Sequence, residues 1–138
     1  MSEDTAAQKV TSIQRCVSQA RKVLDEAGEG FRANHIYQDA AVMNVVRACE
    51  TSIDVANMLI RAKRLGIPTE SRDSFMILVR DKLIDAELGK RLMKTIGFRN
   101  LAVQRYRELD LDIVEAVIRK SLDDLLAFAQ ALRPLLSA

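Results

Sequence analysis

Residues 36–65 read IYQDAAVMNVVRACETSIDVANMLIRAKRL, and the spacing of their apolar side chains decides the fold. Val42, Val45, Cys49, Ile53, Ala56 and Ile60 recur at steps of three and four. That is about 100° per residue, the repeat of a helix that buries one face. The run stops at Gly66, with Pro68 beyond it, and neither residue favours continuing a helix.

The same period appears on both sides of this segment. Towards the N-terminus Ala6, Val10, Ile13, Val17, Ala20 and Leu24 form a stripe that Gly28 and Gly30 end. Towards the C-terminus, roughly from Asp112 to Leu136, the stripe is Val114, Ile118, Leu122, Leu125, Ala129 and Leu132. Shorter units lie between. Ser71 is expected to cap a helix running to about Leu83, and Asp85 another that begins at Ala86. Gly97 is expected to interrupt that helix, with a new stretch continuing to about Glu108 and Asp110 or Asp112 opening the last helix. Strand-like alternation and internal repeats are missing. The expectation is an all-α, up-and-down antiparallel bundle of about five helices, a single domain over residues 1–138 with residues 1–4 frayed. Stripes this wide serve a monomer core or a symmetric homodimer equally well.

Composition narrows the function. Hydrophobic residues make up 49% and charged residues 29%, with five glycines and two prolines, a helix-rich and not a disordered balance. The N-terminal residues carry neither a basic start nor an apolar core, so no secretory signal is expected, and no apolar run suits a membrane span. A cytoplasmic protein is the expectation. Cys16 and Cys49 fall on the apolar faces of different helices, where free thiols behave as small hydrophobes. His35 is the only histidine, which argues against a histidine-built metal site. No phosphate-binding glycine loop or nucleophile elbow is present, so no metal or cofactor is expected. The few aromatic residues are too scattered to form a base-stacking platform.

Positive charge is concentrated locally. Net charge is only +2, yet Lys90, Arg91, Lys94, Arg99, Arg105 and Arg107 follow one another with no acid between them. Such a patch steers and binds phosphates, although solvated helices often carry the same charges with no ligand. Within it stands Gly97-Phe98-Arg99-Asn100-Leu101-Ala102-Val103-Gln104-Arg105-Tyr106. On one regular helix Arg99 aligns with Val103 and Tyr106, and Asn100 with Gln104 and Arg107. Arg99 and Gln104 themselves are about 140° apart. To converge on one ligand, either Arg99 sits at an irregular helix start after Gly97, or two subunits face each other across a cleft.

This motif resembles that of the HepT-like family of HEPN-domain proteins, which reads Gly-Phe-Arg-Asn, a short apolar step, Val-His, one residue, then Tyr. The likeness extends to Glu50-Thr51-Ser52-Ile53-Asp54-Val55-Ala56, to Gly66-Ile67-Pro68 with Ser71-Arg72 and Phe75, and to Leu122-Asp123-Asp124-Leu125 with Phe128. The resemblance implies an all-helical homodimer with the arginine–histidine motifs of both copies at a shared cleft. It implies a metal-independent RNA-cleaving toxin, partnered by a small nucleotidyltransferase antitoxin that transfers AMP to the motif tyrosine, here Tyr106. The arginine, here Arg99, would stabilise charge on the phosphoryl group while the histidine moves protons.

At the histidine position this chain has Gln104. A glutamine amide donates and accepts hydrogen bonds but does not titrate. Loss of a general acid–base group costs roughly 10²–10⁴-fold in rate. The expectation is therefore a ribonuclease scaffold with weak or absent cleavage. The alternatives are a non-catalytic module that binds a nucleotide or the nucleotidyltransferase, or a helical adaptor with no ligand. His35 could replace the missing histidine only if the fold carried it across; an exposed or capping role is the simpler reading. Asn100 either orients Arg99 or caps a helix. Arg47, Glu50 and Asp54 form either a solvated charge row or the support of the cleft, with the two acids positioning Arg99.

Overall fold

The computed structural model describes residues 3–137, with side chains described for residues 5–136. Helix α1 spans Glu3–Ala27, and Gly28 leaves it at φ +53° into a 3-10 turn, Gly28–Ala33. That conformation costs glycine least. Helix α2 is His35–Ala62, α3 Ser71–Arg80 and α4 Ala86–Gln104. After a 3-10 turn at Tyr106–Glu108, the last helical rod comprises α5 (Leu111–Ala116), a π-helical segment (Val117–Ser121) and α6 (Leu122–Ser137). Among the described residues there is no strand. Of the stretch expected to be frayed, residues 1–4, residues 3 and 4 belong to α1, and residues 1 and 2 lie outside the described residues.

Burial follows the sequence stripes. Every member of the first and last stripes is buried, as is every member of the α2 stripe except the partly buried Ile53. Helix α1 lies along α2 over most of its length, and α6 packs against both. Phe75 of α3 meets Phe128 of α6 edge-on, ring centroids 5.2 Å apart, with both rings fully buried. No described helix is long and apolar enough to cross a membrane.

Three local expectations are corrected. Helix α4 runs unbroken through Gly97, because its buried side, Leu88, Leu92, Ile96, Phe98 and Ala102, passes straight across that position. A glycine inside a helix costs only about 1 kcal/mol, less than the burial around it contributes. The helix stops instead at Arg105 (φ −140°, ψ 50°). Residues 103–108 are all exposed. In α3 the cap is Glu70 rather than Ser71: Asp73 Oδ2 accepts from the backbone N–H of Thr69 at 3.0 Å and of Glu70 at 3.3 Å. That helix also ends at Arg80, before Leu83. The Asp85 cap is present, and of the two candidates Asp110 opens the last rod.

Candidate functional site

Helix α4 packs against α2, with Arg99 late in α4 beside Glu50 near the middle of α2. Arg99 lies in regular helix, not at a helix start, so that way of bringing it to Gln104 is excluded. Its Nη2 donates to Glu50 Oε1 at 3.0 Å and its Nη1 to Asn100 Oδ1 at 2.9 Å. The Arg99 side chain is only 23% exposed, and its Nε is buried with no hydrogen-bond partner. Leaving such a donor unsatisfied costs about 1–3 kcal/mol. The guanidinium is therefore held in one place by two side chains from different helices. Asn100 acts as an acceptor for the arginine and caps nothing.

Beneath the arginine, Cys49 is fully buried. Burial pushes its thiol up to about 12, with Arg99 opposing and Glu50 reinforcing the shift. Arg47, Glu50 and Asp54 line one polar groove between α1 and α2 together with Arg15 and Asn44. Of the two acids only Glu50 reaches Arg99; Asp54 faces Lys9 of α1 at 3.6 Å.

Gln104 is the exposed last residue of α4. The two aligned rows expected on a continuous helix do not form, because Arg105 breaks them before Tyr106 and Arg107. The cationic run is also partly neutralised. Arg91 pairs with Asp124 at 2.9 Å, Arg99 with Glu50, and Arg105 with Glu108 at 3.7 Å. Lys90, Lys94 and Arg107 have no carboxylate partner among the described residues.

Beyond the break, Tyr106 folds back onto α2. Its hydroxyl donates to Asp39 Oδ1, a residue 67 positions away in the chain. Burial, then this hydrogen bond, then the carboxylate charge push the phenol up to about 12. The pair borders a cavity of about 600 Å³ whose walls are His35, Gln38 and Val42 from α2, Leu109 just after the 3-10 turn, and Leu111 and Val114 from the last rod. Gln38 fixes the near end of α2 by donating to the carbonyls of Phe31 at 2.8 Å and Arg32 at 3.1 Å. Arg32 in turn pairs with Asp112 and, at 2.9 Å, with Glu115, which locks the far wall.

The sequence reading missed Asp39. Its only signal is that His35, Asp39 and Val42 share one face of α2, and nothing local pairs that face with Tyr106. His35 is exposed at the first position of α2, where Asn34 provides the cap. It lies 15 residues before Glu50, about 22 Å along the helix axis, so within one chain it cannot stand beside Arg99.

Comparison with known proteins agrees with the sequence resemblance. Residues 13–132 match the family described as ribonuclease HepT-like. The chain is 38% identical over 130 residues to the mRNA nuclease HepT of Shewanella oneidensis, covering 94% of this chain and 97% of that one. It superposes with TM-score 0.89 and 37% identity on a toxin–antitoxin crystal structure with AMP-PNP, covering 95% of this chain and 98% of the other. The same values hold for the tri-AMPylated Shewanella oneidensis HEPN toxin in complex with its MNT antitoxin.

Proposed function

The chain belongs to the HepT-like ribonuclease family, and from that premise we propose that it is the toxin of a toxin–antitoxin pair, neutralised by AMP transfer from an MNT-type nucleotidyltransferase to Tyr106. In this reading Arg99 holds an RNA phosphate and Asn100 and Glu50 position it. Gln104 supplies hydrogen bonds without moving protons, so cleavage is weak or absent. The observation that carries the reading is the fixed Arg99 guanidinium one and a half turns before Gln104, in a chain 38% identical to an mRNA nuclease.

A homodimer completes the site. Ile36 and Met43, 78% and 51% exposed, lie on the same face of α2 as Arg47 and Glu50. A second copy on this face covers the apolar half and brings two arginines towards one cleft. Because Arg99 and Gln104 diverge on a regular helix, two copies supply the convergence that one cannot.

A second reading, a non-catalytic module for a nucleotide or the nucleotidyltransferase, is favoured by one observation. Within one chain no histidine lies near Arg99. Incubating the protein and a Gln104→His variant with tRNA and messenger RNA separates the two. Cleavage gained by the histidine variant and abolished by adding Arg99→Ala supports the ribonuclease scaffold. If neither form cuts RNA while the antitoxin and nucleotide still bind, the module reading holds.

A further inference from the structure

We infer that Asp39 is the proton acceptor for AMP transfer to Tyr106: this chain brings its own base to the modification. The inference rests on Tyr106 being the AMP acceptor proposed above. It starts from geometry. Tyr106 sits outside α4, in a short exposed turn, yet its hydroxyl is not left to solvent. It is aimed at one carboxylate oxygen of Asp39 on α2, and Tyr106 as a whole residue is 40% exposed.

The chemistry needs such a group. For AMP transfer the phenol oxygen attacks the α-phosphorus of ATP. The new O–P bond forms as the bond from that phosphorus to the bridging oxygen of pyrophosphate breaks, and pyrophosphate leaves with the electron pair. The phenolic proton goes to Asp39 Oδ1 and from there to solvent. A neutral phenol is a poor nucleophile, and this one is harder to ionise than a free tyrosine. A carboxylate that accepts the proton during attack solves this, as the catalytic aspartate of protein kinases does for a substrate hydroxyl. The other polar groups at the cavity are His35, Gln38 and Arg107. Gln38 is committed to backbone carbonyls, and among the described residues no hydrogen bond joins Tyr106 to His35 or Arg107. After transfer the ester oxygen has no proton to donate, so the tie between the turn and α2 is released.

Asp39→Asn is the informative variant, because an amide oxygen still accepts the phenol hydrogen bond while basicity is lost. With the MNT-type antitoxin and ATP labelled on its α-phosphate, Asp39→Asn should lower the turnover number for labelling by about 10²-fold or more. KM for the toxin should stay within about twofold, and Asp39→Glu should recover most of the rate. Asp39→Asn labelled at the unsubstituted rate, or impaired in KM alone, overturns the inference; so does Asp39→Glu as slow as Asp39→Asn. Tyr106→Phe, measured alongside, separates the two levels. Label that persists on Tyr106→Phe sinks the acceptor assignment itself. Label lost there but undiminished on Asp39→Asn sinks only the role of Asp39. Thermal melts of each variant confirm that the comparison is between folded proteins.

Discussion

Arg99 and Glu50, 49 residues apart in the chain, meet at 3.0 Å and fix the guanidinium of α4 against α2. Asn100 holds the same guanidinium from the other side at 2.9 Å. The carboxylate both orients Arg99 and competes with any phosphate for its charge. Glu50→Gln should therefore leave RNA binding equal or tighter while lowering the cleavage of a Gln104→His protein by about tenfold, a loss of positioning. Its effect on stability should be about 1 kcal/mol or less, since Glu50 is half exposed. Binding and cleavage assays on the paired variants decide this, and unchanged cleavage removes Glu50 from the site.

Two glycines of α4 should respond in opposite ways to alanine. At Gly97 a Cβ meets nothing within 4 Å, so Gly97→Ala should stabilise by about 0.5–1 kcal/mol through helix propensity. At Gly89 a Cβ would stand 2.2 Å from Cγ2 of Val79, a stiff branched side chain on α3. Gly89→Ala should destabilise by about 1–3 kcal/mol despite its better propensity. Urea midpoints of the two variants test the pair. A stabilised Gly89→Ala would mean that α3 and α4 approach less closely than described.

The Phe75–Phe128 contact joins α3 to α6 through the centre of the core. Truncating either ring to alanine should cost about 3–5 kcal/mol. The double variant should cost less than the sum by about 0.5–1.5 kcal/mol, the coupling of an edge-on aromatic pair. Additive losses in chemical denaturation would show that the rings stabilise the core independently.

Tyr106 should titrate late. In a Tyr37→Phe background the phenolate absorbance should appear with a midpoint near 12, against about 10 for an unperturbed tyrosine. Because the folded value is raised, its contribution to stability is complete below pH 10 and is lost as the pH climbs towards 12. Asp39→Asn should lower the midpoint only part of the way, since burial is the larger cause. A midpoint at the ordinary tyrosine value would contradict the Tyr106–Asp39 contact.

Cys49 should be silent to thiol reagents in the native protein. Its thiol is buried and held near 12, and Cys16 is buried as well. Near pH 8, where an exposed thiol reacts readily, modification should proceed only at the rate of unfolding. Rapid labelling of a folded sample would place one of these thiols at the surface.

By itself the sequence determined the bundle, because helical burial is written locally. An apolar residue every three or four positions, ended by Gly28 or by Gly66 and Pro68, needs no distant partner to be recognised. It also located the Arg99–Tyr106 segment, because residue types within ten positions carry that pattern. Only the tertiary structure decided that α4 continues through Gly97 and breaks at Arg105, since burial against other helices outweighs local propensity there. It alone joined Tyr106 to Asp39, and Arg99 to Glu50 but not Asp54. Those choices depend on how α2 and α4 are set beside each other, and the long-range packing of two helices leaves no trace in the spacing within either one.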